Sequence, residues 1–149
     1  MGDQKISKAI RKVRLTLADG RSLAGEIFLN LYEVRHAGQQ RVGDLLNGDV
    51  AFLPVRVDCE TLLVNVEQIL SARVAAADEL DELMTLGERY TVEVVTLSGD
   101  PIVADLYVNL PSGSCRVTDY LNRPQRFFTF VALKEVLYFN RRFVLAVRD

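Results

Sequence analysis

Hydrophobic and polar residues alternate along most of this chain with a period of two. Val13, Leu15 and Leu17 fall on one side of an extended segment, with Arg14 and Thr16 on the other. A strand with one buried face needs this arrangement, because successive side chains point to opposite faces. Ile102, Ala104, Leu106, Val108 and Leu110 alternate in the same way. Between the first strands, Asp19-Gly20 supplies the positive backbone dihedral of a tight hairpin. Two segments break the period. Ile6, Ala9, Ile10 and Val13 recur at helical spacing before the first hairpin, and Ala76, Leu80, Leu83 and Met84 recur likewise in AAADELDELMTLGER. In the second of these, Asp78 and Glu79 suit the start of a helix and Gly87 its stop. Both stripes are expected to pack on the protein itself.

The whole pattern is written twice. VRLTLADGRSLAGEIFLN (Val13 to Asn30) reads like VEVVTLSGDPIVADLYVN (Val92 to Asn109), each an alternating strand, a turn and a second strand ending in Asn. RVGDLLN (Arg41 to Asn47) matches RVTDYLN (Arg116 to Asn122) at five of seven positions. The aromatic-apolar runs DVAFLPVRV and RFFTFVAL follow, and then LLVNVEQILSARV and LYFNRRFVLAVRD, which align Asn65 with Asn140 and Arg73 with Arg148. The offset is 79 residues at first and 75 later, so the second copy is shorter by four residues in the loop at 32–40. Length differences belong in surface loops. Five short strands per copy, joined by turns too short for crossover helices, predict a small antiparallel barrel. The expected organisation is a first barrel with its N-terminal helix at 1–74, an acidic linker helix at 75–89 and a second barrel at 90–149.

Composition narrows the function classes. The chain has 149 residues, 49% hydrophobic and 26% charged, with a formal net charge of −2, the profile of a globular protein. Residues 1–74 carry ten basic and nine acidic side chains, residues 90–149 seven and six, and the linker one and five. The acidity therefore belongs to the linker, and each barrel is slightly basic by itself. No apolar run reaches the roughly 20 residues that span a bilayer. The start is charged and unlike a signal peptide, and Ile6 stands where myristoylation wants Ser or Thr. A cytoplasmic protein of bacterial type, without a membrane partner, is expected.

The repeated unit resembles the Sm-like family. Its first motif resembles KVRLTLADGRSLAGEIFL, with a hairpin glycine at Gly20 and a second glycine at Gly25 where a strand bends; its second resembles LLVNVEQILSARV. The family's turn carries Arg-Gly where this chain has Asn65-Val66 and Asn140-Arg141, its Asp-to-Asn element is spaced one residue wider than Asp44–Asn47, and Ala104 replaces the bend glycine in the second copy. The resemblance implies an all-β protein with short helices: two tandem five-stranded Sm-like (SH3-type) barrels, each preceded by a short helix. It also implies association of units through the fourth strand of one and the fifth of the next.

Candidate chemistry is sparse. The element R-V-x-D-x-L-N places a guanidinium, a carboxylate and an amide together at Arg41, Asp44 and Asn47 and again at Arg116, Asp119 and Asn122, a set able to hold a polar or anionic ligand. The structural alternative is a capped turn with internal ion pairs. Arg123, Arg126, Arg141 and Arg142 stand among Phe127, Phe128 and Tyr138, a mixture that binds single-stranded nucleic acid or forms a solvated rim over core aromatics. No P-loop, G-x-G-x-x-G, G-x-S-x-G or H-E-x-x-H occurs. His36, Cys59 and Cys115 occupy non-equivalent places and are separated in sequence. No catalytic residue, metal or cofactor is expected. The leading expectation is a non-catalytic binding or assembly module acting through protein–protein contacts, as a homo-oligomer or with a protein partner. RNA or other single-stranded nucleic acid is the first alternative, and a small polar or anionic ligand the second.

Overall fold

The alternating segments become strands, and their order in the sheet follows from which apolar faces must be covered. In the computed structural model residues 8–31, 38–111, 113 and 115–149 are described; His36 and the start of the chain lie outside them. The first half runs β1 (Lys8–Leu17), β2 (Ser22–Asn30), helix α1 (Val42–Leu46), β3 (Phe52–Val57), β4 (Glu60–Asn65), a 3₁₀ turn (Val66–Gln68) and β5 (Ile69–Ala75). After α2 (Ala76–Glu79) and a second 3₁₀ turn (Glu82–Thr85), the same succession recurs. It runs β6 (Glu88–Thr96), β7 (Ile102–Val108), α3 (Val117–Leu121), β8 (Phe127–Val131), β9 (Glu135–Asn140), a 3₁₀ turn (Arg141–Phe143) and β10 (Val144–Arg148). The strands form one open, antiparallel ten-stranded sheet in the order β10-β6-β7-β8-β9-β5-β1-β2-β3-β4.

Two sequence expectations are corrected. The segment from Lys8 onward is strand, not helix, pairing with β2 from Lys8↔Asn30 to Thr16↔Ser22. Its inward positions are Arg11, Val13 and Leu15, and its outward ones Ile10, Lys12 and Arg14. A buried arginine at an inward place disguises the period of two and leaves the apolar residues in a helix-like spacing. The residues of that expected helix before Lys8 lie outside the described ones. The linker is also not one amphipathic helix. It breaks after a single turn, because Leu80 and Asp81 are extended (ψ 133° and 174°), and Asp81 caps the following 3₁₀ turn by accepting the Leu83 amide at 2.9 Å. Leu80 and Met84 still pack on the first core.

The halves meet where β5 pairs with β9, from Ser71↔Phe139 through Arg73↔Leu137 to Ala75↔Glu135. This makes β9 buried on both faces. Val136 and Tyr138 enter the first core, beside Val13, Ile27, Leu46 and Val74, whereas Leu137 and Phe139 enter the second, beside Val94, Leu106 and Phe130. Phe127 also belongs to the first core, so that core is completed by side chains of the second half. Within the first half, Gly25 lets β3 approach β2: a Cβ there would lie 2.7 Å from Val55 and 2.8 Å from the Arg56 carbonyl oxygen.

Asn140 ties the joint polar-side. Its Nδ2 donates to the carbonyl oxygens of Ile69 (2.9 Å) and Glu67 (3.2 Å), while its Oδ1 accepts the Arg142 amide (3.0 Å). At the corresponding place Asn65, among the described residues, makes the local bond alone, accepting the Glu67 amide at 3.1 Å. Asn140→Ala leaves buried carbonyls without donors and should cost about 2–3 kcal/mol, against about 1 kcal/mol or less for Asn65→Ala. Denaturant unfolding of the two variants checks the difference.

Candidate functional site at the joint between the halves

The repeated R-V-x-D-x-L-N element folds identically in both copies. Arg41 and Arg116 stand extended just before α1 and α3, and their amides donate to Asp44 Oδ2 (2.8 Å) and Asp119 Oδ2 (3.1 Å). Asn47 and Asn122 end the helices at nearly the same backbone angles (φ −92° in both). The Asp thus satisfies an amide that a five-residue helix cannot, and the local need for it accounts for its presence twice.

The side chains around these caps diverge because the two helices have different neighbours. Arg116 folds back on Asp119 (Nε 3.1 Å), whose carboxyl is held below its ordinary value by that guanidinium and the Arg116 amide. Arg41 instead reaches Asp81 of the linker (Nε 2.9 Å, Nη2 2.5 Å). Asn122 donates to its own helix at Thr118 O (2.9 Å), whereas Asn47 clamps the second half: Phe127 N donates to its Oδ1 (2.7 Å) and its Nδ2 donates to Phe127 O (3.2 Å).

Sequence reasoning missed the group that joins these parts. Glu79, at the end of α2, has a fully buried side chain. Its Oε1 accepts from Arg11 Nη1; its Oε2 accepts from the amides of Val42 (2.7 Å) and Gly43 (3.4 Å) and from the Tyr138 hydroxyl. One carboxylate therefore links β1, α1, the linker and β9. Burial pushes its carboxyl above the ordinary range against the opposing pull of these donors, and the Tyr138 hydroxyl is pushed well up by burial and by Glu79. Gly43 is required here, since a Cβ would lie 2.5 Å from the Tyr138 ring. The readable signal was Arg11 on an inward strand position, where a buried cation demands a carboxylate.

Two cavities flank the joint. Arg41, Asp44, Asn47, Arg123, Gln125 and Thr129, with Tyr107, Tyr120 and Met84, line a cleft of about 690 Å³ between α1 and the second half. Arg126, Arg141 and Arg142, with Gln125, Asn140 and Glu67, line another of about 440 Å³ at the turn before β10. Arg126 Nη1 is buried without a hydrogen-bond partner. Arg116, Asp119 and Asn122 line neither cavity. Both cysteines are free thiols, Cys59 exposed and Cys115 donating to Leu110 O at 3.2 Å. Among the described residues no His/Cys/Asp/Glu group is placed to hold a metal, and no helix is long and apolar enough to cross a membrane.

No known protein family, no curated protein and no solved structure matches this chain.

Because the folded chain binds the Glu79 proton at higher pH than the unfolded chain, this group makes stability fall as pH rises through the interval just above the ordinary carboxylate value. Glu79→Gln should flatten that slope. Unfolding free energies from about pH 4 to 7 check the sign.

Proposed function

We propose that the chain is a non-catalytic assembly module of two Sm-like barrels, arising by internal duplication, that joins copies of itself head to tail. The observation that carries this reading is the β5–β9 joint taken with the two free edges. Inside the chain a fifth strand pairs with a fourth; the strands at the ends of the sheet are the other fourth, β4, and the other fifth, β10.

The residues support the reading position by position. Phe127, Leu137 and Tyr138, at the internal joint, are 0%, 1% and 1% exposed, whereas their counterparts Phe52, Leu62 and Leu63 are 56%, 39% and 66% exposed. On the opposite strand, Leu70 is 3% exposed and its counterpart Leu145 62%. Apolar edges of this kind are templates for pairing. Carrying the internal register over by the repeat offset sets Ala146 of one copy against Val64 of the next, Val147 against Leu63 and Arg148 against Leu62. The ion pair of Arg73 with Glu135 (3.4 Å) then recurs as Arg148 with Glu60. Asn122 and Asn65, which among the described residues bond only locally, are the counterparts of the two clamps, Asn47 and Asn140. Such a heterologous contact closes into a ring or extends as a filament, according to the rotation between copies.

Light scattering on column-separated protein should show oligomers. Leu63→Lys should yield monomers with stability changed by about 0.5 kcal/mol or less, because the position is exposed. Glu60→Arg should weaken assembly and Arg148→Glu in the same chain restore it. A native chain that stays monomeric at high concentration overturns the reading.

A second reading, single-stranded nucleic acid, is favoured by one observation. The turns before β5 and β10 have matching backbone, with Asn65 and Asn140 both at φ −68°, yet Ala51, Val66 and Glu67 stand where the second half has Arg126, Arg141 and Arg142. The turn itself needs none of these arginines. Replacing the three by Ala should lower oligonucleotide affinity and reduce its logarithmic salt slope by roughly two. Undetectable native binding at low salt ends this alternative.

A further inference from the structure

Resting on the assembly reading, we infer that Tyr138 and Glu79 sort the strand edges, so that β5 closes on β9 of its own chain and β4 is left for β10 of another copy. A backbone ladder is blind to sequence, and two fifth-type strands face two fourth-type strands in any solution of this chain. Four pairings are available to them, of which two build the assembly. Several side chains at the joint do not discriminate. Leu62 and Leu137 are the same residue at the same register, as are Asn65 and Asn140, Glu60 and Glu135, and Arg73 and Arg148.

The strand β9 differs from β4 at three places, Val136 for Thr61, Tyr138 for Leu63 and Phe139 for Val64, and the second of these supplies the hydroxyl that Glu79 uses. Tyr138 of β9 corresponds to Leu63 of β4. The fifth strand β5 is followed by α2, which delivers Glu79 onto that position. On β9 the carboxylate meets a hydroxyl, while Arg11 and the amides of Val42 and Gly43 satisfy it from its own half. Those three donors travel with β5 and would be present on either edge. The hydroxyl would not. On β4 of another copy the buried carboxylate would face the Leu63 side chain and lose one of its four protein donors. Tyr138, only 1% exposed in the internal joint, would in turn lose its carboxylate acceptor and its burial.

Tethering already favours union of a chain's own halves by raising their effective concentration. It does not prevent capture of an opened β5 by the β4 of a neighbour, which would leave β9 and β10 bare and send assembly into a second, irregular mode. The Tyr138–Glu79 pair adds a chemical preference to the tether, of the order of tenfold for one hydrogen bond to a charged group. It also explains a buried carboxylate in a linker whose other apolar contacts, Leu80 and Met84, would dock it without any charge.

The test uses full-length chains with Cys59 and Cys115 replaced by Ser, mixed as pairs of distinguishable mass and oxidised. A chain with Arg148→Cys and one with Leu62→Cys report the proper contact between copies. A chain with Arg73→Cys and one with Leu62→Cys report the improper one. With Tyr138 and Leu63 native, the 148–62 disulfide should form and the 73–62 disulfide stay at background. Tyr138→Phe in the Arg73→Cys chain should raise the 73–62 product about tenfold. Leu63→Tyr in the Leu62→Cys chain, a change at an exposed position that leaves folding intact, should raise it independently. Unchanged 73–62 yield in both variants, with 148–62 intact, overturns the sorting role and leaves assembly standing. Absence of both disulfides in every combination overturns assembly and the sorting role together.

Discussion

One antiparallel ladder, β5 against β9, governs everything in this protein larger than a half. A strand at a sheet edge exposes unpaired amides and carbonyls on one side, and pairing removes them from water together with the side chains on both faces. Here the pairing buries Phe127, Val136 and Tyr138 in the first core, each contributing roughly 1.5–3 kcal/mol of apolar burial for the larger side chains. The second core gains nothing equivalent from outside its own half among the described residues. The halves therefore share a succession of elements but not an energetic position: the first is finished by its neighbour, and the second presents β10 uncovered.

That asymmetry explains why one local motif serves two ends. The carboxylates of Asp44 and Asp119 do the same work, holding the amide that precedes a five-residue helix. Beyond the cap, each arginine and asparagine takes the partner that its surroundings supply. Arg41 finds the linker's Asp81 and Asn47 finds the backbone of Phe127, because the joint brings both there; Arg116 and Asn122 turn back on α3. A motif repeated in sequence thus marks a repeated backbone requirement, and the differences around it mark the joint.

The period of two made the strands legible, and the twofold writing of the pattern announced the recurring succession of elements. The turn glycine Gly20 was legible because positive φ leaves few alternatives, and Gly25 only through the family resemblance, which marked it as a bend. Three things were not legible. Arg11 interrupts the apolar face of β1, so a local reading sees helical spacing; its partner Glu79 lies 68 residues away. The linker carries a helical stripe, but a 3₁₀ turn capped by Asp81 satisfies the same apolar contacts with less helix. The separation of Arg123 from Arg126, Arg141 and Arg142, which line a different cavity, depends on how a turn meets the strand beside it, which no local pattern encodes. Even so, one clue was available: β9 reads VLYF where β4 reads TLLV, and a strand that loses its polar alternation is one buried on both faces.

The sense of the free edges follows from charge as well as shape. The strand β4 carries Glu60 and no cation, and β10 carries Arg148 and no anion. Pairing β4 with β4, or β10 with β10, would set like charges along a twofold contact and leave the other edge of each chain bare. Pairing β10 with β4 instead repeats the ion pair already formed by Arg73 and Glu135 and consumes one edge of each kind. A chain that has closed one fifth-on-fourth contact internally retains one edge of each type, so in the proposed assembly each added copy would restore the state before it. In the assembly proposed above, growth by this contact would stop only when the last copy reached the first, and the rotation per copy that allows closure would follow from the same β5–β9 geometry that joins the two halves.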